Sequence, residues 1–191
     1  MTFDESQTRS NLMRAFAGEC MARARYDIAA QAMDAAQLYA LGRLFRFTAN
    51  QEREHAELFY ARLAQAAGQL PLSSDYPVRP QSGAPALLQD AAQSEFQESG
   101  IYPRFAAMAA QEGFPDIARL FEDVARIEQT HGGRFARYAE WLEGGCLFHE
   151  DGGTTWVCLN CGHVVEGPDA PQRCPVCQHA QGYFVRAGGI L

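Results

Sequence analysis

The chain has 191 residues, 47% of them apolar and 20% charged, enough for one domain with a sizeable core plus a small second one, and a composition that argues against disorder. Its net charge is −7 and every basic residue is arginine, a balance that argues against nucleic-acid binding. The polar start "MTFDESQTRSN" lacks the apolar stretch of a signal peptide and no apolar run reaches membrane-spanning length, so a soluble, cytoplasmic protein with no membrane partner is expected.

Helical periodicity runs from residue 6 to about 143 and predicts helices at about 6–34, 38–67, 86–112 and 115–143. Pro103 falls inside the third and is expected to kink it or loosen its hydrogen bonding. The first and third breaks are short, so each pair of helices reads as an antiparallel hairpin. The second break, "QLPLSSDYPVRPQSGAP", carries four prolines and no helical period. A helix of ~30 residues is about 45 Å long, and this linker can extend roughly 50 Å. It can therefore run the height of a bundle and bring the third helix in parallel to the second. The fold class that follows is mainly α, a four-helix bundle with one long crossover, which is the ferritin-like connectivity.

Alternating steps of four and three trace the buried seam of each helix. The first gives Leu12, Phe16, Glu19, Arg23, Tyr26 and Ala30, and the second Leu41, Phe45, Thr48, Glu52, His55, Phe59 and Arg62. The third gives Leu88, Ala91, Glu95, Glu98, Tyr102 and Phe105, and the fourth Ile117, Phe121, Val124, Glu128, His131, Phe135 and Tyr138. Seven glutamates and histidines (Glu19, Glu52, His55, Glu95, Glu98, Glu128 and His131) thus stand where a bundle wants leucine, near mid-height of their hairpins. A lone Glu on a helix is most simply solvated, but five converging carboxylates would repel one another strongly, and buried unpaired charge costs several kcal/mol per ion. Bound multivalent cations answer all of them at once. One Glu from each of two helices with Glu-x-x-His from the other two is the di-iron or di-manganese carboxylate pattern. Glu52-x-x-His55 and Glu128-x-x-His131 supply the paired motif on one helix face. Arg53 and Glu54 point elsewhere, as surface pairs. Tyr26 and Tyr102 either donate to a ligand carboxylate or are core aromatics with hydroxyls satisfied by other neighbours. Cys20, one residue off the seam, reads as a small buried apolar residue, and Cys146 has no assigned role.

A repeat of 76 residues relates the two hairpins: Glu19/Glu95, Tyr26/Tyr102, Phe45/Phe121, Glu52/Glu128, His55/His131 and Phe59/Phe135 are identical pairs. Ala22 stands opposite Glu98 and breaks the pattern. After Trp141 the composition changes, and the division expected is a bundle over 1–145 with a linker and second unit over 146–191. That unit is too small to fold on an apolar core alone. Its staple is Cys158-x-x-Cys161 and Cys174-x-x-Cys177, a strong signal for a bound metal. Spacing alone fits structural zinc; a redox-active metal pair in the same chain needs an electron supply, which favours iron, with zinc as a possible substitute. Trp156, Tyr183 and Phe184 are placed to screen the site, and His163 and His179 are surplus to it.

Through "GEC", "EREH", "EFQE", "EQTH" and the two cysteine pairs, nearly the whole chain resembles the rubrerythrins, a ferritin-like di-iron domain followed by a rubredoxin-like domain. The resemblance implies that Glu19, Glu52, His55, Glu95, Glu98, Glu128 and His131 hold two irons, and that one iron exchanges Glu98 for His55 between oxidation states. It also implies that Cys158, Cys161, Cys174 and Cys177 hold a third iron. The activity implied is reduction of hydrogen peroxide to water in oxidative-stress protection. Glu98, His55, Tyr26 and Tyr102 would be the residues nearest the chemistry, and electrons would come from a rubredoxin or an NADH-dependent reductase. A head-to-tail homodimer is expected, because the short linker leaves the four-cysteine centre far from its own chain's metal pair. The rival readings are a ferroxidase or iron-handling protein and a non-enzymatic binding protein with a zinc ribbon.

Overall fold

The computed structural model describes residues 2–64, 68–72, 78 and 83–188. Four long helices form the bundle: α1 (Gln7–Ala35), α2 (Tyr39–Leu63), α3 (Ala84–Glu112) and α4 (Pro115–Glu143). Their ends carry the expected local chemistry. Ser6 caps α1 by accepting the backbone N–H of Arg9 at 3.1 Å. Glu112, at the end of α3, accepts the N–H groups of Gln7 and Thr8 at 2.9 and 2.8 Å, so a carboxylate meets the positive end of α1. Gly113 ends α3 with φ of 89°, in the left-handed region, and Pro115 starts α4 where no N–H is needed. Helix α3 runs through Pro103 without interruption.

Helix directions follow from the contacts. Tyr26 reaches Glu95 and Tyr102 reaches Glu19, so α1 and α3 are antiparallel. Phe45 stacks on Phe135 and Phe59 packs on Phe121, so α2 and α4 are antiparallel as well. Helix α3 therefore runs parallel to α2, as one long crossover requires. Most of that crossover lies outside the described residues, as do residues 65–67 at the expected end of the second helix.

The apolar core has two parts, one on each side of mid-height. Toward the α1–α2 turn it gathers Tyr26, Met33, Leu41, Leu44, Phe45, Leu88, Phe135 and Tyr138. Toward the opposite end it gathers Leu12, Phe59, Tyr102, Ile117, Phe121 and Val124. Among the described residues, no helix is long and apolar enough to cross a membrane.

The small unit is a three-stranded antiparallel sheet in the order β2–β1–β3, from β1 (His149–Cys158), β2 (Val164–Asp169) and β3 (Phe184–Arg186). It docks on the bundle end that carries the α1–α2 turn. Tyr39 stacks on Tyr183 with ring centroids 4.3 Å apart, and Arg43 donates to the carbonyl of Leu159. Buried Arg186 lies over Trp141 of α4 at 4.0 Å and beside Trp156 at 5.2 Å. It also donates to the carbonyls of Cys146 and His149 and pairs with Glu150, which fixes the linker against both units.

Candidate metal centres

Six side chains from four helices converge between the two halves of the core, and all six are buried: Glu19, Glu52, His55, Glu95, Glu128 and His131. They form two overlapping sets in which the candidate ligand atoms lie within 4.8 Å of one another. In the first, His55 Nδ1 is 2.8 Å from Glu128, 3.0 Å from Glu52 and 3.7 Å from Glu19. In the second, His131 Nδ1 is 2.9 Å from Glu128, 3.1 Å from Glu52 and 3.5 Å from Glu95. Glu52 and Glu128 belong to both sets, one carboxylate from each hairpin, and so occupy bridging positions.

Glu98 lies outside both sets. It is partly buried one turn from Tyr102, whose hydroxyl is 3.4 Å from its carboxylate. Both tyrosines take the first of their two sequence readings. Tyr26 donates to Glu95, and Tyr102 donates to Glu19 at 2.5 Å. Burial first, and then the adjacent carboxylates, push both hydroxyl pKa values well above the ordinary range, so both groups stay protonated donors.

The electrostatics of this cluster are those of a site built for cations. Burial and neighbouring carboxylates raise Glu19, Glu95 and Glu98 well above the usual carboxylate range. Burial also pushes Glu128 up, but the adjacent His131 and His55 rings outweigh it and draw the carboxyl down to about 2. For His131, burial opposes the charged form, yet Glu128, Glu52 and Glu95 raise its pKa to about 11. His55 is raised in the same way by Glu128, Glu19 and Glu52. Even so, Glu19 Oε2, Glu52 Oε1, Glu95 Oε2, both oxygens of Glu128 and His131 Nδ1 are buried without a hydrogen-bond partner. Buried polar atoms are rarely left so. Oxygen and imidazole donors aimed inward and unpaired fit a pair of divalent cations.

The second site is built from two like knuckles. Gly162 N–H donates to the Cys158 carbonyl and Gln178 N–H to the Cys174 carbonyl, at 2.8 and 2.9 Å. Both turn residues have positive φ, 77° at Gly162 and 61° at Gln178. The surplus histidines serve through their backbones: the carbonyls of His163 and His179 accept the N–H groups of Cys158 and Cys174. The sulfurs of Cys158 and Cys177, and of Cys161 and Cys174, are 3.7 Å apart. A backbone hydrogen bond from His179 lowers the Cys177 thiol to about 6, which favours the thiolate a metal needs. Trp156 and Phe184 are buried against Cys158 and Cys174, with Tyr183 partly buried beside them. Four sulfurs at this spacing fit one tetrahedral ion.

Two features depart from the sequence reading. Cys20 is exposed, because one residue past the seam turns it into the groove between α1 and α2, beside Phe16, Arg23 and Tyr60. Sequence reasoning also passed over Gln51, whose Oε1 lies 3.1 Å from His131 Nε2.

Comparison with known proteins adds a third line of evidence. The family model described as rubrerythrin matches residues 10–83 and 86–150, and that of the rubrerythrin rubredoxin-like domain matches residues 156–185. The rubrerythrin of Clostridium perfringens is 38% identical over 182 residues, covering 94% of this chain and 93% of that protein. The rubrerythrin of Porphyromonas gingivalis is 36% identical, covering 94% and 89%. Among solved structures, fully reduced, all-ferrous nigerythrin superposes with a TM-score of 0.63 at 26% identity, covering 97% of this chain and 91% of that one. A bacterioferritin from Desulfovibrio desulfuricans is similar in fold, with a TM-score of 0.58 at 20% identity over 74% of this chain and 86% of its own.

Proposed function

The chain belongs to the rubrerythrin family, with a carboxylate–histidine di-iron site in a ferritin-like bundle and a rubredoxin-like four-cysteine site, and from that premise we propose that it reduces hydrogen peroxide to water. The observation that carries this reading is the joining of two different metal sites in one chain: a buried pair sharing Glu52 and Glu128, and a four-thiolate site suited to one-electron transfer. When bound, iron supplies the two electrons that cleaving the O–O bond requires, and the four-cysteine site returns them from an external donor, a rubredoxin or an NADH-dependent reductase.

The rest falls to the protein. Phe45 and Phe135 close the metal cluster on one side and Phe59 and Phe121 on the other, all at most 1% exposed, which keeps bulk water from the reacting atoms. Tyr26 and Tyr102 hold Glu95 and Glu19 in place through their hydroxyls. Peroxide reduction consumes two protons, and these hydroxyl–carboxylate pairs lie where protons must be delivered. His55 lies inside the first set while Glu98 waits beside Tyr102. This arrangement supports an exchange of the two as ligands. The working unit on this reading is a head-to-tail homodimer.

Changing Cys161 to Ser tests the relay. NADH-linked peroxidase activity through an added reductase should vanish, while the chemically reduced variant still consumes peroxide once. Coupled activity that survives the change would overturn the relay.

A further inference from the structure

Thr48 stands on the inner seam of α2 at 0% exposed, and its hydroxyl has no hydrogen-bond partner among the described residues. A threonine inside a helix ordinarily avoids this by donating to the carbonyl four residues back. Thr130 on α4 does so, to the carbonyl of Arg126 at 3.2 Å. Thr48 does not, and native structures rarely keep a buried hydroxyl unpaired. Glu52 is one turn further along the same face, and helical side chains lean toward the N-terminus, so its carboxylate comes back over Thr48. Glu52 Oε1 is likewise buried without a hydrogen-bond partner, and it lies 3.1 Å from His131 Nδ1. Phe45 stacks on Phe135 and Gln51 reaches His131, so the stretch of α2 between them lies on the His131 side of the cluster. The residue 76 positions on from Thr48 is Val124, buried at the matching place between Phe121 and Glu128, which face Phe59 and His55. Threonine and valine have nearly the same shape. The two halves therefore differ here by one hydroxyl, carried only on the His131 side.

We propose that the Thr48 hydroxyl is a substrate contact: it hydrogen-bonds the small oxygen ligand, peroxide in turnover and water or hydroxide at rest, on the His131 side of the metal pair. The assignment rests on the peroxide reading above and adds to it a contact that none of the seven candidate ligands supplies. Two unpaired oxygens on one helix face, not bonded to each other, are both satisfied by a third polar atom between them. A hydroxyl suits the place better than another carboxylate, because it donates without adding negative charge to a site crowded with glutamates. It also accepts, so it serves a ligand that carries both protons and lone pairs. Val124 offers no such group. A bound peroxide therefore meets unlike ends, and the oxygen on the His131 side is the one that this hydroxyl holds.

The test uses the full iron-loaded chain in its oxidised state and azide, a small anion that binds ferric ions where peroxide would. Optical difference titration gives the azide affinity, and the infrared azide stretch reports a hydrogen bond on the bound anion. Thr48→Val, which copies the residue already buried at position 124, should keep two irons in the bundle, weaken azide roughly 10-fold and shift the stretch. Thr48→Ser, which keeps a hydroxyl, should restore both readouts. With metal stripped from both, Thr48→Val should melt no lower than the parent, since it removes a group that has no partner. Unchanged azide affinity and stretch in Thr48→Val would overturn the assignment, as would a Thr48→Ser chain that behaves like Thr48→Val. So would a lower melting temperature of stripped Thr48→Val, which would mean that the hydroxyl bonds the helix backbone. Loss of an iron from Thr48→Val would overturn it too, by making the residue a support of Glu52. A parent chain that holds two irons in its bundle and binds no azide would sink the peroxide reading itself, and this contact with it.

Discussion

At the scale of single residues, the cluster crowds buried carboxylates whose charge must be neutralised by bound cations or, without them, by protons. In a chain stripped of metal by a chelator, Glu19 and Glu95, with pKa values raised above the ordinary 4.5, hold protons in the folded state that the unfolded state has released. His131 keeps its proton up to about 11 against an ordinary 6.5, and its stabilisation is complete below that ordinary value and is lost as pH rises through the folded one. Glu128, lowered to about 2, contributes above 4.5 and is lost only in acid, so it is constant near neutrality. The melting temperature of the stripped chain should therefore fall from pH 6 to pH 9. Zinc-loaded protein should not follow it, because metal competes with protons for the same atoms. Thermal melts at several pH values check this, and a stripped chain that gains stability over that range would contradict it. Glu98 offers a second test at this scale. Lying outside both ligand sets, it should be dispensable for holding two ions but not for turnover, so Glu98→Ala should keep the metal content and slow the peroxide reaction. Unchanged turnover would end its role as an exchanging ligand.

At the scale of elements, the seam periodicity and the 76-residue repeat made the bundle legible in the sequence. Every position that the counting gives on α4 from Ile117 to Tyr138 is buried, because a helix imposes its period on whatever it buries. What a period cannot carry is contact between distant elements. The stacking of Tyr39 on Tyr183, the place of Arg186 between two tryptophans, and the reach of Gln51 across the bundle join residues 80 or more apart in two of three cases and 30 and 45 apart in the other. Cys20 escaped for a related reason, since a helix seam says which residues are inward but not how wide a groove two neighbouring helices leave outside. The docking of the small sheet makes its own prediction. A methyl group at Gly182 would overlap the backbone carbonyl of Gln37 in the α1–α2 turn, and backbone cannot give way as a flexible side chain does. Gly182→Ala should lift the four-cysteine unit from the bundle end, leaving both metal sites filled. Limited proteolysis of the linker near Cys146 would show faster cleavage, and an unchanged rate would mean that the contact does not hold the units together.

At the scale of the whole molecule, the question is how electrons cross from one site to the other. The four-cysteine unit docks at Arg43, and nine residues of α2 separate Arg43 from Glu52, or about 14 Å of helix axis before the side chains are counted. Tunnelling weakens steeply with distance, so a partner chain laid head to tail offers a shorter route, as proposed above. Mixing Cys161→Ser chains with Glu128→Ala chains gives hybrid dimers in which one subunit keeps the relay and the other the metal pair. Partial recovery of peroxidase activity is expected, and its absence in demonstrably mixed dimers would favour transfer within one chain.

The central claim is that peroxide draws electrons from the four-cysteine site through the buried metal pair, and a single-turnover experiment reaches it directly. The iron-loaded chain is fully reduced without oxygen, mixed with two equivalents of hydrogen peroxide per chain, enough to take the electrons of all three irons, and followed by the red absorbance of the ferric four-thiolate site. The absorbance should return within the turnover in the parent chain and stay absent, or return far more slowly, in Glu128→Ala, whose metal pair has lost a shared carboxylate. Equal rates of colour return in the two chains, or none in the parent, would contradict the account.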